Sequence, residues 1–216
     1  MIRAVKTEIA IVDRFNRWSE DMKACRDGGA RKEYFQRELP GFLKERSLFV
    51  PVLESIAAGG LYPDVKYATM FDSEVVLYRD PGRAFSVRVY LWGPGEYDPV
   101  HDHNSWGVIG TALGTLDTIN YRRLDNGSDE SRAMLEETSR QFVPVGQTYS
   151  VFPLNEGIHR TGNADDPAII QVGVYGENLT GRSYVNVFDL KTGDVTRLYL
   201  PHVKKRMLAR HALESL

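Results

Sequence analysis

The sequence contains only one cysteine, Cys25, among its 216 residues. An internal disulfide and a cysteine-based zinc site each need more than one thiol, so both are excluded within this chain. Any metal site must therefore be built from histidine or carboxylate side chains.

Long apolar segments and a surplus of charge of one sign are also lacking. No stretch approaches the roughly 20 apolar residues of a membrane helix, and charged residues interrupt residues 1–18, so we expect neither a membrane span nor a signal peptide. The 27 basic and 29 acidic residues nearly balance, which disfavours a protein that binds nucleic-acid backbones. The composition predicts a cytoplasmic protein without nucleic-acid or membrane partners.

The first third of the chain has helical periodicity. Residues 7–25 predict a helix that ends near residues 27–29 (Asp-Gly-Gly). Its predicted buried stripe consists of Ile9, Val12, Phe15, Trp18 and Met22. Residues 30–60 predict two or three further short helices, broken at Pro40-Gly41 and ended by Gly59-Gly60.

From about Tyr67 the sequence changes to short segments rich in β-branched and aromatic residues. Two connections between these segments, residues 80–82 (Asp-Pro-Gly) and 191–194 (Lys-Thr-Gly-Asp), predict hairpin turns. In them Gly82 and Gly193 supply the positive φ. Seven or more short strands without helical pattern between them predict an antiparallel sandwich or barrel. We therefore predict one domain, with a helical cap at residues 1–66, a β-barrel at 67–200 and a C-terminal helix at 201–216.

The five histidines are the most informative residues of the chain. His101 and His103 are two residues apart, and on a strand that spacing points both imidazoles to the same face. A divalent metal needs ligands that converge from one side, so this pair predicts half of a metal site. His202 and His211 stand among Lys and Arg residues of the predicted C-terminal helix, and we expect them to face solvent.

The surroundings of the histidine pair resemble the first motif of the cupin superfamily. Both histidines and the flanking Gly95 and Gly114 are in register with that motif, and Gly107 stands where many cupins carry a ligand glutamate. The second cupin motif adds a histidine from a later hairpin, and residues 146–163 supply His159 there. The resemblance implies a mainly β fold, the cupin double-stranded β-helix or jelly-roll barrel, with a helical N-terminal cap.

The thiol dioxygenases, which include cysteine dioxygenase and 3-mercaptopropionate dioxygenase, resemble this chain in the segments PVHDHNSWG, NEGIHRTGN and DDPAIIQVGVYG. The resemblance covers about residues 78–189 and implies Fe(II) held by His101, His103 and His159, with no organic cofactor. The implied partners are O2 and a small thiol-carboxylate, which is oxidised to its sulfinic acid. The metal would lower the pKa of a bound thiol.

The same resemblance assigns roles to three further residues. Tyr175, sixteen residues after His159, stands at the position of the active-site tyrosine of these enzymes. Arg79 lies near the carboxylate-binding arginine of cysteine dioxygenases, and Arg182 lies near that of the 3-mercaptopropionate enzymes. A guanidinium suits this task because it can bind a carboxylate through two hydrogen bonds.

The chain also departs from the thiol dioxygenase pattern. Many members have Ser-x-His-x-Tyr where this chain has Gln171, Gly173 and Tyr175, so the hydrogen-bond relay of those residues is missing. No cysteine lies near Gly107, so we predict no cysteine–tyrosine crosslink. Glycine at that position is the bacterial pattern, which favours 3-mercaptopropionate or another thiol-carboxylate.

Two other functions are compatible with the same residues. A cupin isomerase, hydrolase or carbon–carbon-cleaving dioxygenase would use the same three histidines, and imidazoles alone also accept nickel, zinc or copper. A non-enzymatic ligand-binding cupin would keep the barrel without the metal. Uptake of O2 with formation of a sulfinate distinguishes a thiol dioxygenase from both.

Overall fold

The computed structural model describes residues 2–59 and 69–214, with side chains of the first helix from Ala10 onward. Within these ranges three α-helices precede the strands, namely α1 (Ile2–Met22), α2 (Gly28–Lys44) and α3 (Val50–Ala57), and α4 (Pro201–Glu214) follows them. Short 3-10 helices lie at Arg46–Leu48 and Leu154–Gly157. None of the helices in these residues combines the length and apolarity needed to span a bilayer.

The described residues form ten strands. They are β1 (Glu74–Arg79), β2 (Phe85–Trp92), β3 (Gly107–Leu113), β4 (Thr115–Arg123), β5 (Leu135–Pro144), β6 (Thr148–Val151), β7 (His159–Gly162), β8 (Ile169–Gly176), β9 (Tyr184–Phe188) and β10 (Val195–Tyr199).

The strands are connected as an antiparallel barrel. One sheet has the order β1-β2-β8-β3-β6, a second has the order β5-β4-β7, and β9 pairs with β10 as a hairpin. Neighbouring strands of these sheets are antiparallel. The prediction of a mainly β, antiparallel barrel with preceding helices is confirmed. Because residues 60–68 lie outside the described residues, the predicted start of the β region near Tyr67 falls there, and the first described strand begins at Glu74.

The five-stranded sheet is buried on both faces. Alternate residues of β2, Phe85, Val87 and Val89, pack with α1 and α2 in the largest apolar cluster. The residues between them, Ser86 and Arg88 with Tyr90, face a cavity inside the barrel. One face of the sheet therefore holds the helices, and the other face carries polar side chains into the interior.

The stripe that α1 buries differs from the predicted one at one position. Ile11, Phe15, Trp18 and Met22 are buried, whereas Val12 is 47% exposed. These four recur at intervals of four, three and four residues, which is the spacing of one helix face. Ile9 lies outside the described side chains.

The predicted helix break at Pro40-Gly41 is wrong, because α2 continues through both residues to Lys44. Proline removes one intrahelical hydrogen bond, but the surrounding side chains of Leu39, Phe42 and Leu43 are completely buried. Burial of a large apolar side chain contributes about 1.5–3 kcal/mol, so packing outweighs the lost bond. The predicted stop at residues 27–29 instead begins this helix, since Asp27 is its N-cap and accepts the Ala30 N–H at 2.9 Å.

The two predicted turns have different outcomes. Gly193 has φ 76 between β9 and β10, as predicted. Between β1 and β2 the prediction for Gly82 is wrong, and Arg83 has the positive φ of 62 instead. Asp80 N–H donates to Phe85 O at 3.0 Å, and Arg83 N–H donates to Asp80 O at 2.8 Å. The loop between this closing pair therefore has four residues, 81–84. Its residue with positive φ is the third of the four, later than in a two-residue turn.

Candidate metal site

The backbone brings the three candidate histidines together. His101 lies between β2 and β3, and its N–H donates to His159 O at 2.9 Å while His159 N–H donates back to His101 O at 3.1 Å. His101 also forms a bridge to Val187 of β9. These pairings place residues 101 and 159 side by side, and the two-residue spacing adds His103 on the same face.

The three imidazoles converge on one point. Their ring centroids are 4.7 to 5.0 Å apart, and their candidate ligand atoms all lie within 4.8 Å of one another. All three residues are buried, with exposures of 4%, 8% and 1% for His101, His103 and His159. The Nε2 atoms of His103 and His159 are 2.9 Å apart, and ligands at right angles around a first-row metal have nitrogens about 3.0 Å apart. The residues present therefore fit a divalent transition metal.

Neighbouring groups orient the rings. His101 Nδ1 lies 2.9 Å from Pro99 O, so this nitrogen donates its proton to the carbonyl and Nε2 is left for a metal. Tyr149 places its hydroxyl 3.4 Å from His159 Nδ1, which likewise leaves Nε2 on the metal side. The ring of Phe71 covers His101 at a centroid distance of 5.1 Å.

Two of the three imidazoles, those of His103 and His159, are held in the neutral form that binds metals. Burial, together with the charge of neighbouring histidines, lowers the pKa of His103 and of His159 well below 6.5. Protons therefore compete little with a metal at neutral pH. No carboxylate joins the cluster in the part of the chain that the structure describes, so imidazole is the only type of candidate ligand in it.

Tyr175 lies beside the cluster on β8. Its ring is nearly parallel to that of His103, with centroids 6.0 Å apart and an angle of 18°. A side-chain hydrogen bond links it to Tyr90. Burial raises the pKa of Tyr175 well above its usual value, so the phenol keeps its proton at neutral pH and can donate it in a hydrogen bond.

Two glycines create the space for the Tyr175 ring. A Cβ at Gly107 would lie 2.9 Å from ring carbons of Tyr175, and a Cβ at Gly173 would lie 2.4 Å from another. The ring therefore fills the positions where many cupins have a ligand glutamate and where many thiol dioxygenases have the relay histidine. Gln171, at the position of the relay serine, instead accepts a hydrogen bond from Trp92 Nε1 at 2.9 Å.

The two predicted substrate-binding arginines lie in different surroundings. Arg182 donates to Asp102 Oδ2 and Asn104 Oδ1 at 3.0 Å each, and its third contact is His103 O at 3.4 Å. It therefore braces the segment that carries His101 and His103. Arg79 is exposed at the end of β1 and lines the mouth of the cavity.

The histidines lie in the wall of a cavity of about 1100 Å³, which we call the inner cavity. Its other lining residues include Arg79, Arg88, Tyr90, Tyr175 and Arg182. His202 and His211 are exposed on α4, which has no buried residue among those described.

Arg88 is the site residue that the sequence analysis missed. It extends from the inner face of β2, donates to Glu74 Oε1 at 2.5 Å, and has its Cζ 5.4 Å from the centre of the Tyr175 ring. The available signal was the alternation in β2, where Ser86, Arg88 and Tyr90 interrupt an otherwise apolar strand. A charged residue within a strand that is buried on both faces indicates a lined cavity or an internal ion pair.

No protein-family model matches the chain. Solved structures with a cupin barrel do match, among them a cupin-like protein from Thermotoga maritima MSB8, with a TM-score of 0.40 and 13% identity over 58% of this chain and 88% of that protein. A DMSP lyase from Ruegeria pomeroyi DSS-3 matches with a TM-score of 0.41 and 11% identity, over 66% of this chain and 73% of the lyase. An oxalate oxidase matches with a TM-score of 0.39 and 18% identity, over 60% of this chain and 61% of the oxidase. At such identities these similarities carry no information on substrate or reaction.

Proposed function

We propose that the protein is an iron-dependent thiol dioxygenase that acts on a small thiol-carboxylate. The observation that supports this proposal is the cluster of three buried imidazoles in the wall of the inner cavity, which no carboxylate of the described residues joins. The reaction is R–SH plus O2 giving R–SO2H, in which sulfur loses four electrons, O2 gains them, and both oxygen atoms end on sulfur. We place it in the cytoplasm, where thiols are kept reduced.

The charge of the ligand set favours this chemistry. Imidazole ligands carry no negative charge, so His101, His103 and His159 would leave the full 2+ charge of a bound iron uncompensated. Bound Fe(II) would supply Lewis acidity toward the thiol and one-electron chemistry toward O2. The three histidines hold one face, and the cavity side is left for substrates.

Tyr175 is the residue to which we assign catalysis. Its protonated phenol lies beside His103, within the wall of the same cavity. From there it can donate a hydrogen bond to the substrate and hold a proton during oxygen transfer. Tyr90, bonded to it, keeps the phenol in place in a chain that has no relay histidine.

A metal-dependent hydrolase that uses a carboxylate as its general base is less consistent with the site. Asp98 is the carboxylate beside His101, with Oδ2 3.7 Å from Nδ1. Its oxygens already accept the Thr161 N–H at 2.5 Å and the Thr161 hydroxyl at 3.1 Å. These bonds give Asp98 a structural task, which is to tie β7 to the segment before His101.

The proposal is tested by O2 uptake with protein loaded anaerobically with Fe(II). The substrates are cysteine, 3-mercaptopropionate, cysteamine and mercaptosuccinate, and the blank is His159→Ala loaded in the same way. We expect uptake with a thiol-carboxylate, matched by an equal amount of its sulfinate and lost in the blank. Iron-loaded protein that consumes no O2 with any of the four thiols contradicts the proposal.

A further inference from the structure

The inner face of β2 places one guanidinium in the wall of the inner cavity, next to Tyr175. Arg88 pairs across the sheet with Gly173 of β8 on one side and with Val76 of β1 on the other. Gly173 has no side chain between Arg88 and Tyr175, so the guanidinium contacts the Tyr175 ring. The Arg88 Cζ atom lies 5.4 Å from the centre of that ring. One aromatic ring thus separates this positive charge from His103.

The guanidinium is held in a fixed position. Its Nη1 donates to Glu74 Oε1 at 2.5 Å and its Nε donates to Ser86 Oγ at 3.3 Å. The Glu74 side chain is completely buried, and its second oxygen accepts the Met70 N–H at 2.9 Å. Arg88 itself keeps 27% of its side chain exposed, and a guanidinium has five N–H donors. Glu74 therefore orients Arg88 without using all of its donors.

The other arginines of the cavity are placed differently. Arg182 spends its donors on Asp102, Asn104 and the His103 carbonyl. Arg79 and Arg83 also line the cavity, but both are exposed to solvent. Arg88 is thus the guanidinium that combines partial exposure to the cavity with a position beside the catalytic tyrosine.

We propose that Arg88, oriented by Glu74, binds the anionic end of the substrate and selects thiols that carry a carboxylate over neutral thiols. This inference rests on the proposed function, and it transfers the carboxylate-binding role from the two positions suggested by family resemblance to a residue on β2. A bound carboxylate at Arg88 would direct the sulfur at the other end of the molecule toward the three histidines.

The test measures binding without turnover. Cobalt(II) replaces iron, since imidazole sites accept it, and a thiolate bound to cobalt(II) is detected by its charge-transfer absorption. Two thiols of equal length are titrated under argon, 3-mercaptopropionate and 3-mercapto-1-propanol. We expect unmodified protein to bind the acid at least about tenfold more tightly than the alcohol, the scale of one charge-assisted hydrogen bond.

The variants separate charge recognition from folding. Arg88→Gln alone leaves the Glu74 carboxylate buried without its partner. The decisive variant is therefore the double substitution Glu74→Gln/Arg88→Gln, in which both members of the pair are uncharged. Circular dichroism checks that this variant is folded. Arg122→Gln, at an exposed arginine on β4, is the matched control. We expect the preference for the acid to disappear in the double variant and to persist in the control.

Three results overturn the assignment of Arg88. They are an absence of preference in unmodified protein, an unchanged preference in the folded double variant, and a preference abolished by Arg79→Gln or by Arg83→Gln instead. If binding depends on Arg88 but iron-loaded protein consumes no O2, the inference stands and the proposed reaction is wrong. If O2 is consumed while the preference is independent of Arg88, the reaction stands and the inference is wrong.

Discussion

The ring of Tyr175 occupies space that exists only because residues 107 and 173 are glycines. A methyl group at position 173 would lie 2.4 Å from the ring, far inside van der Waals contact. We expect Gly173→Ala to destabilise the protein by about 1–3 kcal/mol, the usual cost of adding volume to a packed interior. The measurement is the free energy of unfolding in urea.

Gly41→Ala is the control for this substitution. Gly41 lies within α2, and nothing comes within 4 Å of a Cβ added there. Alanine is the better helix former, so this variant should gain about 0.5–1 kcal/mol. In addition, Tyr175→Ala should remove most of the cost of Gly173→Ala, and a cost that is unchanged in the double variant argues against a collision with the ring.

A second prediction at the scale of single residues concerns the affinity of the candidate site for metal. His159→Ala removes one of the three candidate imidazole ligands, and we expect metal affinity to fall on the order of 100-fold or more. Competition with a fluorescent chelator measures this, and His202→Ala, on the exposed α4, is the control. Equal metal affinity in the His159→Ala and His202→Ala proteins would exclude the three-histidine site.

The sequence predicted the position of some residues of the candidate site but not the contacts of others. His101 and His103 are adjacent in a short motif, and β-strand geometry alone puts them on one face. The partners of Arg88 and Arg182 are 14 and 80 residues away, and which carboxylate each would meet depends on strand register and loop path. Gln171 and Gly173 indicated a missing relay, but only the structure reveals that the Tyr175 ring fills the vacated volume.

At the scale of elements, Asp117 joins three parts of the barrel. This completely buried carboxylate on β4 accepts hydrogen bonds from the Tyr97 hydroxyl at 2.5 Å and from Arg140 of β5 at 2.7 and 3.0 Å. Burial alone would raise the pKa of Asp117, but the bonds from Arg140 and Tyr97 outweigh burial, and the pKa lies below its usual value. The ionised form is therefore the one that stabilises the fold.

The pH dependence of this contribution has a defined sign. A pKa lowered by folding stabilises the protein above the usual value of about 3.9, and the stabilisation is lost as the pH falls through the folded-state value. We expect Asp117→Asn to cost about 1–2 kcal/mol, unchanged from pH 7 to pH 5 and shrinking below pH 4. Urea unfolding across this range checks it, and a cost that disappears already between pH 7 and pH 5 contradicts the assignment.

Elements whose sequence pattern is local were predicted well, and those decided by packing were not. Strand β2 alternates and β8 is almost continuously buried, so their existence follows from local pattern, whereas β5 is exposed along most of its length and has no such pattern. Helix α2 runs through Pro40 because three neighbouring side chains are buried against the sheet, which no local signal for a helix break can anticipate. Similarly, the turn at residues 80–85 is set by backbone bonds of Asp80 and not by the Pro-Gly pair.

At the scale of the whole molecule, the helical layer and the five-stranded sheet share one core. Trp18 of α1 packs edge-on against Phe35 and Phe42 of α2 and Phe85 of β2, with ring centroids 5.2, 5.3 and 6.5 Å away. We expect helices and barrel to unfold together as one domain, so Trp18→Ala should cost about 3–5 kcal/mol and speed hydrogen exchange in β8 as well as in α1.

Val12→Ala is the control for this prediction, because Val12 lies on the same helix but is largely exposed. Its effect should stay within about 0.5 kcal/mol. If Trp18→Ala accelerates exchange in α1 while the amides of β8 keep their protection, the helical layer is a separate folding unit.

The most direct test of the proposed reaction follows the two oxygen atoms of O2 into the product. Iron-loaded protein is supplied with 3-mercaptopropionate under ¹⁸O2, and the product is analysed by mass spectrometry beside that of His159→Ala. We predict a sulfinate in which both oxygen atoms carry the label, formed only when all three histidines are present. A disulfide as the only product, a sulfinate without two labelled oxygens, or equal product from His159→Ala would contradict thiol dioxygenation at this site.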